Sequence, residues 1–140
     1  MQKKFKNLIS LIDNIKNDEY GSWIYKTGHN GTNDDPIPFP FVSYSDSVNK
    51  LIELVYKFEE DNPEYELCHY YKLLNDRGLE WNMKSLEEAD VSKMDAQGIM
   101  AMLMGIVRAE RFCDGAILSA CRSGIIIRWL ERLRELISEK

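Results

Sequence analysis

The sequence predicts a mainly α protein: a single-domain, compact array of about five to six helices with a small N-terminal β-hairpin. Three observations support this fold class. Apolar residues recur three and four positions apart along most of the chain, which is the period of an amphipathic helix. Residues 22–44 instead alternate apolar and polar side chains around a turn-rich centre, as a hairpin does. The 140 residues are 44% hydrophobic and 29% charged, and no linker or repeat divides residues 1–140 into smaller domains.

The first helix is predicted over residues 4–17, where apolar side chains share one face and lysines occupy the other. The hairpin follows at residues 22–44. Trp23 and Tyr25 alternate with polar residues there, and the stretch TGHNGTNDDP supplies the glycine, asparagine and aspartate that turns need. The prolines behind this stretch favour extended backbone, because each one excludes its predecessor from the helical region.

Three further segments precede the C-terminal third. A second helix is predicted to begin near Ser45 or Asp46, either of which can cap it, and to end at the stretch EDNP. A third helix is predicted over residues 63–78, where a proline suits the first turn and a glycine ends the helix. Residues 79–91 are predicted to be irregular, with one helical turn at 84–89.

The C-terminal third has the clearest helical pattern. Ser92 followed by Asp95 resembles a capping arrangement, and the helix behind it is predicted to continue to about Ala109. A short helix follows the next turn, where Phe112 is expected to fill the core beneath. A last helix is predicted over residues 125–138.

Two glycines, Gly98 and Gly105, lie seven residues apart on one face of the predicted helix that ends near Ala109. Each costs about 1 kcal/mol of helix propensity. We therefore expect another backbone to pack closely against this face, either that of the last helix or that of the same helix in a second subunit.

The net charge of −5 is unevenly distributed. Residues 1–90 carry ten Lys and Arg against seventeen Asp and Glu, whereas residues 91–140 carry eight against six. An acidic body disfavours binding to phosphate backbones. The three cysteines have neither disulfide-framework nor zinc spacing, and no apolar run reaches the roughly 18 residues that a membrane span needs. These features predict a cytoplasmic location without membrane insertion.

The stretch VRAERFCDG, residues 107–115, is the most chemically crowded part of the chain. We treat its charged residues as a candidate ligand-binding or structural cluster: Arg108, Glu110, Arg111 and Asp114. In the structural interpretation, the arginines face the negative end of a helix dipole, and Arg111 pairs with Asp114 across the turn. In the functional interpretation, Cys113 or Asp114 takes part in catalysis, or the two arginines bind a phosphate or carboxylate. The structural interpretation is favoured, because no histidine is expected near Cys113.

The motif Ala120-x-x-x-Gly124, followed by an apolar helix, has the skeleton of a helix-turn-helix. Base recognition requires polar side chains at the start of the second helix, whereas this chain has isoleucine at positions 125, 126 and 127. Only the arginines of the last helix favour nucleic acid. We therefore expect a helical corner, and we do not expect nucleic acid as a partner.

The last helix carries apolar residues around more of its circumference than a single buried stripe requires. Its candidate interface residues are Ile125, Ile126, Ile127 and Trp129. Apolar surface of this kind favours a homo-oligomer or contact with another, unidentified protein.

Three motifs occur in a fixed order near the C-terminus: Arg-x-Glu-Arg-Phe-x-Asp-Gly at 108–115, Ala120-x-x-x-Gly124, and Leu130-x-Arg132-Leu133. Together with FPFVSYSDSV at 39–48, they resemble a family of small prokaryotic proteins known only as a domain of unknown function. The likeness covers roughly residues 37–48 and 90–135. It implies a fold, and it brings no activity, substrate or catalytic residue.

We therefore predict a cytoplasmic, non-enzymatic interaction module or homodimer that needs no cofactor or metal. The alternative is a small-molecule or anion-binding protein, or an enzyme, centred on Arg108–Asp114. A helix-turn-helix nucleic-acid binder is the third hypothesis. No nucleotide-binding, hydrolase or metalloprotease motif is present, and His29 beside Asp34 and Asp35 lacks the donor geometry of a metal site.

Overall fold

Helices account for most of the computed structural model, which describes residues 3–24, 31–34 and 41–138. The described α-helices are α1 (Lys3–Ile9), α2 (Ile12–Lys16), α3 (Asp46–Asp61), α4 (Tyr70–Asn75), α5 (Met83–Glu88), α6 (Ala96–Ala109), α7 (Ala116–Ser123) and α8 (Ile125–Ser138). Strands β1 (Gly21–Ile24) and β2 (Phe41–Tyr44) form an antiparallel hairpin. The predicted fold class, a compact helical domain with a small hairpin near its N-terminus, is confirmed.

The predicted helix over residues 4–17 is divided into α1 and α2. The hydroxyl of Ser10 donates to the carbonyl oxygen of Asn7 at 2.7 Å, and the amide of Leu11 bonds the carbonyl of Leu8 rather than continuing the α-helical pattern. A serine side chain that bonds a nearby carbonyl competes with the helical backbone. The break lets both short helices pack against α8 and α3.

The predicted helix over residues 63–78 is wrong in its first half. Glu66 adopts a left-handed conformation with φ of 53°, which separates a 3-10 turn at Pro63–Tyr65 from a second 3-10 turn at Leu67–His69. The side-chain amide of Gln97 donates to the carbonyl of Tyr65 at 2.9 Å, so that a carbonyl freed by the break is satisfied. Only α4 is α-helical.

One predicted cap and one predicted helical turn are confirmed, and a second predicted cap is refined. The Ser45 side chain caps α3 by accepting from the amide of Val48. The predicted turn at 84–89 is α5, whose cap is the Asn82 side chain. At α6 the cap is Asp95 alone, because Ser92 lies in a separate 3-10 turn at Val91–Lys93.

Helix α6 is the centre of the core. Every residue from Gly98 to Val107 is buried, and α3, α4, α7 and α8 all pack against this helix. The neighbours of its two glycines differ from the prediction: the indole of Trp81 covers Gly105, and the side chain of Met94 covers Gly98. The expected close approach of another backbone is therefore wrong, because side chains fill both places.

Arg77 and Asp95 clamp the start of α6 to the end of α4. Arg77 Nε and Nη2 donate to the two carboxylate oxygens of Asp95, each at 2.9 Å, and Nη1 donates to the carbonyl of Leu73 at 2.8 Å. The same carboxylate accepts the amide of Gly98 at 3.0 Å. The hydrogen bonds from Arg77 hold the pKa of Asp95 below its ordinary value.

This lowered pKa gives a pH-dependent stability difference. We expect Asp95→Asn, which keeps a capping oxygen, to lower the free energy of unfolding at pH 7 by roughly 0.5–1 kcal/mol, because it removes the charge pair with Arg77. The contribution of Asp95 is fully present above the unfolded pKa of about 3.9 and is lost as pH falls through the lower folded-state value. Urea unfolding at pH 7 and at about pH 2 measures this. A difference between the two proteins that did not shrink at low pH would contradict it.

Candidate functional site

The charged cluster occupies the turn between α6 and α7. The turn is closed by backbone hydrogen bonds. The amides of Phe112 and Cys113 donate to the carbonyl of Ala109 at 3.0 and 2.9 Å, and the amide of Arg111 donates to the carbonyl of Arg108 at 3.1 Å. Gly115 ends the turn with φ of 93° and is the N-cap position of α7. Backbone hydrogen bonds thus hold residues 109–115 in a turn, independently of the side chains.

Glu110 binds the N-terminus of α7. Its Oε2 accepts from the Gly115 amide at 2.8 Å, and its Oε1 accepts from the Ile117 amide at 2.9 Å. The free amides of a helix N-terminus carry partial positive charge and favour a carboxylate. Because Gly115 has no capping side chain, a residue five positions upstream supplies the cap from the preceding turn.

Tyr44 of β2 completes the same network. Its hydroxyl donates to Glu110 Oε1 at 2.6 Å and accepts from the Leu118 amide at 3.1 Å. Burial, followed by the hydrogen bond to Glu110, raises the pKa of Tyr44 well above its usual range, so the phenol stays protonated and donates. The amide of Ala116 bonds the carbonyl of Cys113 at 3.2 Å. Each amide at the start of α7 therefore has a partner within the chain.

The hairpin packs on the turn at a second point. The indole of Trp23, the neighbour of Tyr44 on the inward face of the hairpin, lies so close to Gly115 that a Cβ atom there would be 2.7 Å from its ring. Strand alternation predicts that Trp23 and Tyr44 share a face. Nothing in the sequence linked Tyr44 to Glu110, which is 66 residues away.

The two arginines of the cluster contact α3. Arg108 Nη2 donates to the carboxylate of Glu59 at 3.0 Å, and the guanidinium of Arg111 lies over the ring of Tyr56, 5.1 Å from its centroid. In the described part of the chain no ion pair joins Arg111 to Asp114. The expected pairing across the turn is therefore wrong, and α3 takes its place as the partner of both arginines.

The tip of the turn points into solvent. Phe112 is 91% exposed, and Arg111, Cys113 and Asp114 are also exposed. The expectation that Phe112 fills the core is wrong, because Ile117 and Trp23 already cover the underside of the turn. Among the large hydrophobic side chains of the described residues, Phe112 is the most exposed.

Comparison with known protein families gives a match in the C-terminal part of the chain. Residues 77–139 match a family of unknown function, DUF6508. The predicted resemblance to such a family is confirmed for this region, and the match does not reach residues 37–48. No curated protein and no solved structure matches the chain. The DUF6508 region contains Glu110 and the whole turn, whereas Tyr44, Tyr56 and Glu59 lie before it.

The candidate interface residues lie at the start of α8 in the DUF6508 region. Ile125, Ile126 and Trp129 are buried within one chain, and Ile127 is partly buried against the core. Their apolar surface is thus covered by the rest of the same chain. Little of that apolar surface is therefore exposed to another protein.

Two arginines of the DUF6508 region that favoured nucleic acid contact the backbone. Arg128 donates to the carbonyls of Glu87 and Ala89, each at 3.2 Å, and Arg132 Nε donates to the carbonyl of Met94 at 3.0 Å. Both side chains thereby tie the irregular segment before α6 onto α8. Gly124, with φ of 86°, forms the expected helical corner between α7 and α8.

Among the described cysteines, Cys113 is exposed in the turn and Cys121 is buried beneath it in α7. Burial, with a smaller contribution from Asp18, raises the pKa of Cys121 to about 12, so this thiol stays protonated at neutral pH. No group of three or more His, Cys, Asp and Glu among the described residues could hold a metal. His29 and Asp35 lie outside them. Among the same residues, no helix has the length and apolarity to cross a bilayer.

Proposed function

We propose that this protein is a non-enzymatic interaction module that binds a protein partner through the exposed turn Arg111–Asp114, here called the docking turn. The observation that carries the proposal is the 91% exposure of Phe112. Moving a phenylalanine side chain from water into a pocket gains about 1.5–3 kcal/mol. Aromatic and arginine side chains are also the residues that dominate binding energies at protein interfaces.

The rigidity of the docking turn supports this proposal. Three of its four backbone amides are bonded to the carbonyls of Arg108 and Ala109, and Glu110 anchors the residues that follow it. Arg111 is held over Tyr56. Little conformational freedom remains to be lost when a partner binds, so more of the contact energy appears as affinity.

The chemistry of the docking turn indicates the kind of partner. An apolar pocket is required for Phe112, and its rim has to offer an acidic group to Arg111 and a basic group to Asp114. The adjoining surface of α3 is acidic, with Glu53 and Glu60 exposed near Tyr56. A partner with complementary charges at these positions would be favoured.

The enzyme or anion-binding alternative has less support from the same residues. Glu110 accepts three hydrogen bonds, and Arg108 is paired with Glu59, so both charges already have partners within the chain. The Nε of Arg108 is buried and has no hydrogen-bond partner among the described residues. For nucleic acid, Arg128 and Arg132 are bonded to carbonyls. These partners favour the interaction module over both alternatives.

The experiment compares capture by three immobilised proteins: wild type, Phe112→Ser, and Tyr71→Ser as a matched control. Tyr71 is another exposed aromatic residue, 53% exposed, on α4. The baits are presented with a lysate of the source cells and, separately, with purified soluble copies of the same chain. We expect wild type and Tyr71→Ser to retain the same protein. Phe112→Ser should bind that protein with an affinity lower by about tenfold or more. Equal retention by all three, or retention by none, would contradict the proposal.

A further inference from the structure

Resting on the proposed function, we infer that the partner of the docking turn is a second copy of this chain. In the resulting dimer, the two turns pack antiparallel about a two-fold axis near Phe112 and Cys113. The arrangement that supports this inference is the order of residues along the turn: the cation Arg111 precedes the exposed Phe112, and the anion Asp114 follows it after Cys113.

The docking turn has the charge pattern that a two-fold contact requires. Across such an axis, residue i of one copy meets residue j of the other, and j meets i. Arg111 and Asp114 are exposed, opposite in charge, and flank Phe112. In the part of the chain that the structure describes, neither forms an ion pair of its own. Antiparallel pairing would place Arg111 opposite the partner's Asp114 and repeat the same contact on the other side.

The apolar part of the contact has the same symmetry. Phe112 and Cys113 occupy the centre of the four-residue turn, so an antiparallel pairing brings two phenylalanine rings and two thiols to the axis. Aromatic rings gain from stacking on one another in addition to the area they bury. Because both copies place Phe112 at the axis, one substitution in the sequence removes both rings from the contact.

The overall charge limits the strength of this dimer. Each copy carries −5, and two like-charged chains repel one another at low ionic strength. At about 0.15 M salt the Debye length is about 8 Å, which screens this repulsion more than it weakens charges in direct contact. A small contact centred on one turn belongs to the weak, reversible class of interfaces. We therefore expect the dimer to become more stable as the salt concentration is raised from very low to moderate values.

The test is sedimentation equilibrium at about 0.15 M salt, from about 10 μM to about 1 mM, the range that covers weak association. Wild type is expected to rise from the monomer mass of 16.3 kDa towards twice that value. Phe112→Ser is expected to weaken association by about 100-fold, a factor of about ten for each of the two rings that it removes from the contact. Tyr71→Ser is the matched control and should associate as wild type does.

Charge reversal tests the pairing directly. Arg111→Asp and Asp114→Arg are each expected to weaken the dimer, because each places like charges opposite one another twice. The double variant, Arg111→Asp with Asp114→Arg, restores opposite charges and is expected to recover association. In a Cys68→Ser background, a short bismaleimide should also link two copies through Cys113. Circular dichroism of each variant verifies that the fold is retained.

Three results would overturn the inference: a wild type that stays monomeric at the highest concentration, a dimer that Phe112→Ser leaves intact, and a double charge variant that associates as weakly as the single ones.

The proposed function fails separately. If wild type is monomeric but still captures another protein in a Phe112-dependent way, the self-association is excluded and the docking turn stands. If the chain dimerises without Phe112 and capture of other proteins does not depend on Phe112 either, both are wrong.

Discussion

Replacement of Glu110 by alanine is expected to lower the free energy of unfolding by about 3 kcal/mol. The change leaves the amides of Gly115 and Ile117 and the hydroxyl of Tyr44 without their acceptor. Hydrogen bonds to a charged group contribute about 1.5–3 kcal/mol each, and the three share one carboxylate, so their effects do not add fully. Urea unfolding followed by circular dichroism gives the difference.

Asp114→Ala is the matched control for this prediction. It removes a carboxylate four residues away that is exposed at the tip of the same turn. A surface substitution of this kind should change stability by no more than about 0.5 kcal/mol. Equal effects of the two alanine variants would mean that the turn is not held by Glu110. Retained stability in Glu110→Ala would show the same.

The second large effect is expected at Gly115. Gly115→Ala should cost about 2–4 kcal/mol, for two separate reasons. The residue has φ of 93°, a conformation that alanine adopts only with strain, and the added Cβ would lie 2.7 Å from the ring of Trp23. To relieve this contact, the indole of Trp23 has to move away from the turn between α6 and α7.

Gly124→Ala separates the two reasons. Gly124 has a similar φ of 86°, but a Cβ there would meet nothing within 4 Å. Its substitution should therefore cost only the conformational strain, about 1–2 kcal/mol. Thermal or urea unfolding of the two variants side by side measures the difference. If Gly124→Ala were as damaging as Gly115→Ala, the packing of Trp23 on the turn would not contribute.

Much of the helical architecture could be predicted because the spacing of apolar residues is a local property of the sequence. The spacing of apolar residues located α3, α6 and α8, because each buries one face or, for α6, nearly the whole helix. The errors occurred where the α-helical hydrogen-bonding pattern is interrupted. Ser10 bonded back to a carbonyl, and Glu66 took a left-handed conformation that its side-chain type does not predict.

The sequence predicts the turn between α6 and α7 but not the contacts that its side chains make. Residues 107–115 could be recognised as a turn between two helices from charge and glycine content alone. Their partners, Tyr44, Tyr56 and Glu59, come from distant segments that only the tertiary fold brings near. Phe112 was misjudged because apolar residues between helices usually enter the core, and whether one does depends on the exact path of the turn.

The most direct test of this account is a double-mutant cycle between Tyr44 and Glu110. The central claim is that Glu110 is used inside the protein, binding the hairpin to the start of α7, so that the exposed residues beside it are the ones available to a partner. Stabilities of wild type, Tyr44→Phe, Glu110→Ala and the double variant give the coupling free energy. We predict a coupling of about 1–2 kcal/mol. A coupling indistinguishable from zero would contradict the claim.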